Sequence, residues 1–97
     1  MTERDLVLNA SLAAFLQYDL ERAGQYLPIW TVTANPDDYP DHFAARLFLT
    51  GNGPAAGRSR YVLLGTTLDE LRAQLPEHLS RLARDPEDDP VIVENWL

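Results

Sequence analysis

Asp37, Asp38, Asp41 and His42 place three carboxylates and an imidazole within six residues. Those are the ligand types a divalent cation takes, although the spacing matches no established site. A second acidic run, Asp85, Glu87, Asp88 and Asp89, lies near the end of the chain. Asp85, Glu87 and Asp89 alternate like the first half of a calcium loop. Such a loop then needs glycine at its sixth position and glutamate at its twelfth. Those positions hold Pro90 and Trp96, so the match fails. Neither run is assigned a metal. Both read as turns in which Asp, Asn and Pro are expected for backbone reasons. Their second reading is contact with a partner. Tyr39 and His42, with Arg46 on the strand that follows, form one such surface. The 85–89 run, stiffened by Pro86 and Pro90, suits a fixed docking point for an arginine-bearing partner.

Groups for acid–base or nucleophilic work are few. Only His42 and His78 are available as general bases near neutral pH. Ser11, Ser59 and Ser80 are scattered and have no visible base beside them. Phosphate-loop, nucleophile-elbow and dinucleotide-binding patterns are absent. No catalytic residue is assigned and no cofactor is expected. Trp30, Tyr61 and Trp96 fall on expected strands, where packing is the ordinary role. Trp96, next to the C-terminus, is also placed to be an exposed anchor, because tryptophan is enriched in binding hot spots.

The elements that must position these residues are legible from periodicity. Residues 1–27 read as a helical segment with Leu8, Leu12, Phe15, Leu16, Leu20, Ala23 and Leu27 on one face. Gly24 suits a left-handed terminator, and Pro28 forbids continuation. Strands are expected over 29–34, 43–50, 59–64 and 91–96 from their β-branched, aromatic and alternating residues. Thr67-Leu68-Asp69-Glu70 matches a capping box at the start of a short helix. Leu79, Leu82 and Ala83 keep helical spacing beyond Pro76, which predicts a further turn or two. The expected fold is α+β: a three- to four-stranded, mainly antiparallel sheet covered on one face by two helices, in α-β-β-β-α-β order. Ninety-seven residues make one domain. The pairing of the last strand is not readable.

Composition excludes several function classes. Fifteen Asp and Glu outweigh eight arginines, for a net charge of −7, and there is no lysine. A phosphate backbone needs a basic stripe, and Arg58 with Arg60 is too little. Direct nucleic-acid binding is therefore not expected. The absence of cysteine excludes disulfides and thiolate metal sites and fits a reducing, cytoplasmic setting. The stretch from Leu6 to Leu16 is too short and too polar for a membrane span.

Two stretches together resemble a family of short bacterial proteins with no assigned function. One comprises Trp30-Thr31-Val32, Pro36-Asp37-Asp38-Tyr39-Pro40-Asp41-His42-Phe43 and Ala45-Arg46. The other comprises Leu68-Asp69-Glu70-Leu71-Arg72 and Pro86 to Leu97. The resemblance covers residues 29–97, leaves the leading helix outside, and implies no activity. The helix, three strands, helix order is similar to double-stranded-RNA-binding domains, but the charge has the wrong sign. Gly65 to Leu71 is similar to a strand-to-helix junction in antitoxins that keep part of that fold. The leading expectation is a non-enzymatic module that binds another protein or itself as a homodimer. The alternatives are an acidic inhibitor or antitoxin facing a basic target, and a metal-dependent or small-molecule enzyme centred on Asp41 and His42.

Overall fold

A computed structural model describes residues 4–87 and 89–97. The charged start at residues 1–3 and Asp88 of the second acidic run lie outside the described residues. The elements are β1 (Leu6–Val7), α1 (Ala10–Ala23), β2 (Leu27–Ala34), β3 (Phe43–Thr50), β4 (Gly57–Gly65), α2 (Leu68–Arg72), β5 (Arg81–Ala83) and β6 (Ile92–Trp96). They form one sheet in the order β1-β4-β3-β2-β6-β5. The class is α+β, but the sheet has six strands and is mixed. β1 pairs parallel with β4, and the other pairings are antiparallel.

β2, β3 and β4 form the expected meander. Asn35 takes a positive φ of 50° at the first turn, a conformation asparagine tolerates. Its side-chain amide donates to the Pro40 carbonyl at 2.8 Å, closing the 35–42 loop on itself. β6 then lies along the other side of β2, with Trp30 opposite Trp96 and Val32 opposite Glu94. β6 pairs with β5 on its outer edge.

Three expectations are corrected. First, the opening segment is not helical throughout. Leu6 and Val7 pair with Tyr61 and Val62 at the edge of the sheet, and the helix starts after Asn9. Asn9 caps it by accepting from the Leu12 amide at 2.9 Å. Gly24 ends it at φ 71°, its amide donating to the Leu20 carbonyl.

Second, only part of the expected stripe is kept: Leu8, Leu16 and Leu20 pack against the core, but the buried face of α1 is rotated away from Leu12 and Phe15. Ala13 and Gln17 are buried, while Leu12 and Phe15 are 51% and 66% exposed. The cause is Trp30, whose indole would otherwise be buried without an acceptor. Its Nε1 donates to the Gln17 Oε1 at 2.8 Å, and this polar contact sets the helix rotation. Hydrophobic periodicity cannot see a buried glutamine.

Third, helical spacing beyond Pro76 does not make a helix. α2 is only five residues long, capped by Thr67 Oγ1, which accepts from the Glu70 amide at 3.1 Å. The Glu70 carboxylate reaches back to Thr66 rather than to Thr67. After Pro76 the chain turns, and Ser80 exchanges backbone hydrogen bonds with Leu97. Sheet pairing thus claims Arg81–Ala83, and Leu82 is half exposed.

Both helices cover the same face of the sheet. Ala13, Trp30, Val32, Ala45, Leu47, Leu63, Leu71, Leu75 and Leu79 form the core between them. Burying each of the larger side chains stabilises the fold by roughly 1.5–3 kcal/mol. Gly65 permits the close approach of α2, since a Cβ there would stand 2.8 Å from the Leu71 amide nitrogen. The opposite face has no helix over it. There Arg46, Phe48, Thr31 and Thr33 project, and this is where the candidate site lies.

Candidate functional site

Arg46 sits mid-strand on the uncovered face and is nevertheless only 8% exposed. A guanidinium in such a place requires partners, and the fold supplies them from three directions. Nη1 donates to Asp5 Oδ1 at 2.9 Å and to the Ser59 carbonyl at 3.0 Å. Nη2 donates to Asp5 Oδ2 at 2.8 Å and to Asp38 Oδ2 at 3.3 Å. The Asp5 contact is a two-pronged fork, the strongest form of arginine–carboxylate pair. Tyr39 adds an O–H donated to Asp5 Oδ2 at 2.8 Å. Arg58 stands 3.6 Å from Asp38 at the solvent end.

Local backbone geometry makes this possible. The β3–β4 register shifts between Arg46 and Phe48. Ser59 fills the irregularity: its Oγ donates to the Leu47 carbonyl at 2.6 Å and accepts from the Tyr61 amide. The Ser59 carbonyl is thereby turned to Arg46. The network fastens the N-terminal segment and the 35–42 loop to the middle of the sheet.

Electrostatics follow the geometry. Arg46, bonded through its guanidinium, holds the Asp5 carboxyl down at about 2 against the opposing effect of burial, and Tyr39 helps. Burial and then Asp5 push the Tyr39 phenol up. Asp5 is thus a fixed anion and Tyr39 a fixed donor at neutral pH. Neither is poised for proton transfer. All four Nη protons of Arg46 are engaged, so its fork is not on offer to an incoming anion.

Beside this network lies a groove of about 240 Å³. Its floor is Thr31, Thr33, Ala44, Phe48 and Ile92, with Arg46 and Arg58 also lining it. Both acidic loops reach it, the first through Pro36 and Asp38 and the second through Asp89 and Val91. Asp89 Oδ1 accepts from the Val91 amide at 3.1 Å. The Thr31 hydroxyl is bonded to Asn95 Oδ1 at 2.7 Å, which ties the floor to β6. Most of the lining is apolar, and the charges stand on the rim.

The residues singled out in the sequence therefore separate. Arg46, Tyr39 and Asp38 are brought together, and Asp89 joins them across the groove. His42 does not line the groove; its backbone amide bonds the Tyr39 carbonyl and its own carbonyl accepts from Asn35. Asp37 and Asp41 are exposed beside it on the same loop, and Asp85 and Glu87 on the other. Among the described residues no three His, Asp or Glu side chains converge where they could hold a metal ion.

Trp96 is on the covered face, on the far side of the sheet from the groove. It packs against the core, and its Nε1 donates to Glu94 Oε2 at 2.6 Å. Glu94 is 3% exposed and is gripped by Arg72 of α2, whose Nε and Nη2 lie 3.0 and 2.5 Å from its two oxygens. Arg72 accordingly holds the Glu94 carboxyl below the usual range. Sequence reasoning passed over Asp5, Arg72 and Glu94 as site residues and weighed Arg58 only as a nucleic-acid contact. The available signal was a charged residue inside an otherwise apolar strand, in Phe43–Thr50 and again in Ile92–Trp96, which demands a buried counter-charge.

No helix among the described residues is long and apolar enough to cross a membrane. Comparison with family models, with curated proteins and with solved structures finds no match to the chain.

Proposed function

We propose that this chain is a small acidic protein-interaction module, non-enzymatic, that docks a basic segment of another protein on its uncovered sheet face. One observation carries the reading: two acidic loops far apart in sequence, at 35–42 and 85–90, deliver Asp38 and Asp89 to the rim of one apolar groove. At about 240 Å³ the groove falls below the ~300–1,000 Å³ usual for small-molecule sites. It suits a side chain or two of a polypeptide. The apolar floor supports burial of an aliphatic residue, and exposed Asp89 supports a neighbouring arginine or lysine, Asp38 being paired already with Arg46 and Arg58. Arg46 holds the N-terminal segment and the 35–42 loop in place rather than binding the partner, because its fork is occupied. A second copy is a poor occupant of this face, since acidic loops would meet acidic loops on a chain of net charge −7. The same charge supports the absence of direct nucleic-acid binding, and the lack of cysteine supports a cytoplasmic setting.

The test is a capture experiment with three immobilised chains. Wild type is expected to retain a partner set that is released by salt. Thr33→Arg fills the groove and is expected to lose the set. Phe15→Glu, on the opposite side of the molecule, is expected to keep it. Circular dichroism first establishes that both variants are folded. An unchanged set on Thr33→Arg would overturn the reading.

The charge also favours a narrower version, in which the partner is a basic nucleic-acid-binding protein that this chain inhibits in the manner of an antitoxin. Electrostatic steering then governs association. The association rate should fall steeply with ionic strength; a flat response would remove this version and leave the broader one.

A further inference from the structure

We propose that Asn52 is a site of spontaneous covalent modification. Its side-chain amide is displaced by the backbone nitrogen of Gly53, and of the two products, aspartate and isoaspartate, the second loosens the β3–β4 loop from Tyr26. The proposal is independent of the groove, which neither Asn52 nor Gly53 lines.

The chain has four asparagines, Asn9, Asn35, Asn52 and Asn95. The reaction asks three things of an asparagine. The next residue must have a backbone N–H, that residue must have no Cβ to obstruct the approach, and the side chain must be free to swing onto its own backbone. Asn35 precedes Pro36, which has no N–H, and its amide is bonded to the Pro40 carbonyl. Asn9 precedes Ala10, and its Oδ1 is held by the Leu12 amide at the helix cap. Asn95 precedes Trp96 within β6, and its Oδ1 accepts from the Thr31 hydroxyl. Asn52 alone precedes a glycine. It is exposed, and neither its side chain nor the Gly53 amide is hydrogen-bonded among the described residues.

The chemistry needs water as its one co-reactant. The Gly53 nitrogen attacks Asn52 Cγ, an N–Cγ bond forms, and the Cγ–Nδ2 bond breaks. The Gly53 proton departs with Nδ2 as ammonia and leaves a five-membered imide. Water then opens the ring. Cleavage of the new N–Cγ bond gives aspartate on an unaltered main chain. Cleavage at the Asn52 main-chain carbonyl gives isoaspartate, with the chain now running through Cγ. Either product adds one negative charge to the net −7.

The fold requires the glycine that makes Asn52 labile. A Cβ at position 53 would stand 2.1 Å from the Tyr26 hydroxyl oxygen. That hydroxyl is itself held, because it accepts from the Ala55 amide at 3.1 Å. Tyr26 thus pins the loop at Gly53 and Ala55. Isoaspartate adds one methylene to the main chain immediately before Gly53. The added length has no room on the Tyr26 side, so the loop moves outward and the bond from Ala55 to Tyr26 opens. Aspartate leaves the main chain unaltered and keeps that bond.

Peptide mapping by mass spectrometry tests the proposal on the full chain, incubated folded in mildly alkaline buffer. The peptide containing Asn52 is expected to gain about 1 Da with time, as a thermolabile asparagine does, and to split into two products. One of the two should be a substrate for an isoaspartate methyltransferase. The peptides containing Asn9, Asn35 and Asn95 should stay unchanged over the same period. Asn52→Ser, a substitution in an exposed loop, should keep the melting temperature and lose the mass gain. In aged wild type the Ala55 amide should exchange with solvent faster than in fresh wild type, and Asn52→Ser aged in the same way should show no such change. An Asn52 that stays intact in the folded chain while it converts in urea would overturn the proposal, as would conversion of Asn9 or Asn95 at the same rate. Unchanged Ala55 exchange in the isoaspartate form would overturn the loosening of the loop.

Discussion

The two faces of the sheet each contain a carboxylate held by an arginine fork and by one aromatic donor, yet the two clamps are built in opposite senses. On the covered face the carboxylate belongs to the sheet: Glu94 in β6 is gripped by Arg72 from α2 and by the Trp96 indole. On the uncovered face the arginine belongs to the sheet: Arg46 in β3 is gripped by Asp5 from the N-terminal segment, and Tyr39 braces Asp5. Burial separates them further. Glu94 has 3% of its side chain exposed, Asp5 24%. The covered clamp fastens a helix over the core. The uncovered clamp fastens an edge segment and a loop around an open groove. A stranded charge on the first face stays in a low-dielectric interior, while one on the second has water within reach.

That difference orders the effects of breaking each clamp. Arg72→Ala should be the most damaging change, because it leaves Glu94 buried with only Trp96 and a distant Arg81 at 4.0 Å. A loss of about 3 kcal/mol is expected in urea unfolding. If Arg72→Ala costs less than Asp5→Asn, burial does not govern the two clamps.

Asp5→Asn should cost about 2 kcal/mol at neutral pH, and the effect should depend on pH. Asp5 is depressed from 3.8 to about 2 in the folded protein. Its contribution is therefore complete above pH ~4 and is lost as pH falls through about 2. The gap between wild type and Asp5→Asn should close over that window. A gap that persists at the acid end would mean that the loss comes from packing and not from the ion pair.

The aromatic donors sharpen the comparison at a smaller scale. Trp96→Phe should cost about 1.5 kcal/mol, because it withdraws a donor from a buried carboxylate. Tyr39→Phe should cost about 1 kcal/mol or less, because Asp5 can replace the phenol with water. Equal losses from the two would imply that the uncovered clamp is drier than its exposure indicates. The smallest effect should come from His78→Ala. His78 pairs with Glu21 in an exposed contact, which stabilises by less than ~0.5 kcal/mol.

Apart from Asp5, the side chains of both clamps lie in stretches with clear local signals: Asp38, Tyr39, Arg46, Arg72, Glu94 and Trp96. Those stretches were legible as strands, loops and a capped helix. Their pairing was not, because Glu94 meets Arg72 across 22 residues of chain and Asp5 meets Arg46 across 41. No local pattern encodes such a meeting. Asp5 was read as part of a helix, since two residues of edge strand carry no periodicity to recognise.

Local chemistry by itself determined the α+β class, the β2–β3–β4 meander, the Gly24 and Thr67 caps and the proline-braced loops. Each depends on backbone preferences and nearest neighbours, which a linear sequence displays. Tertiary structure alone decided the six-stranded mixed sheet, the rotation of α1 and the conversion of 81–83 from helical spacing to strand. It also divided the candidate site residues, leaving Asp38, Arg46 and Asp89 around one groove, Tyr39 on Asp5 beside it and Trp96 on the opposite face of the sheet. The physical reason is common to these outcomes. A buried polar group must find its partner wherever the fold presents one, as Trp30 found Gln17 and Arg46 found Asp5, and that requirement overrides periodicity.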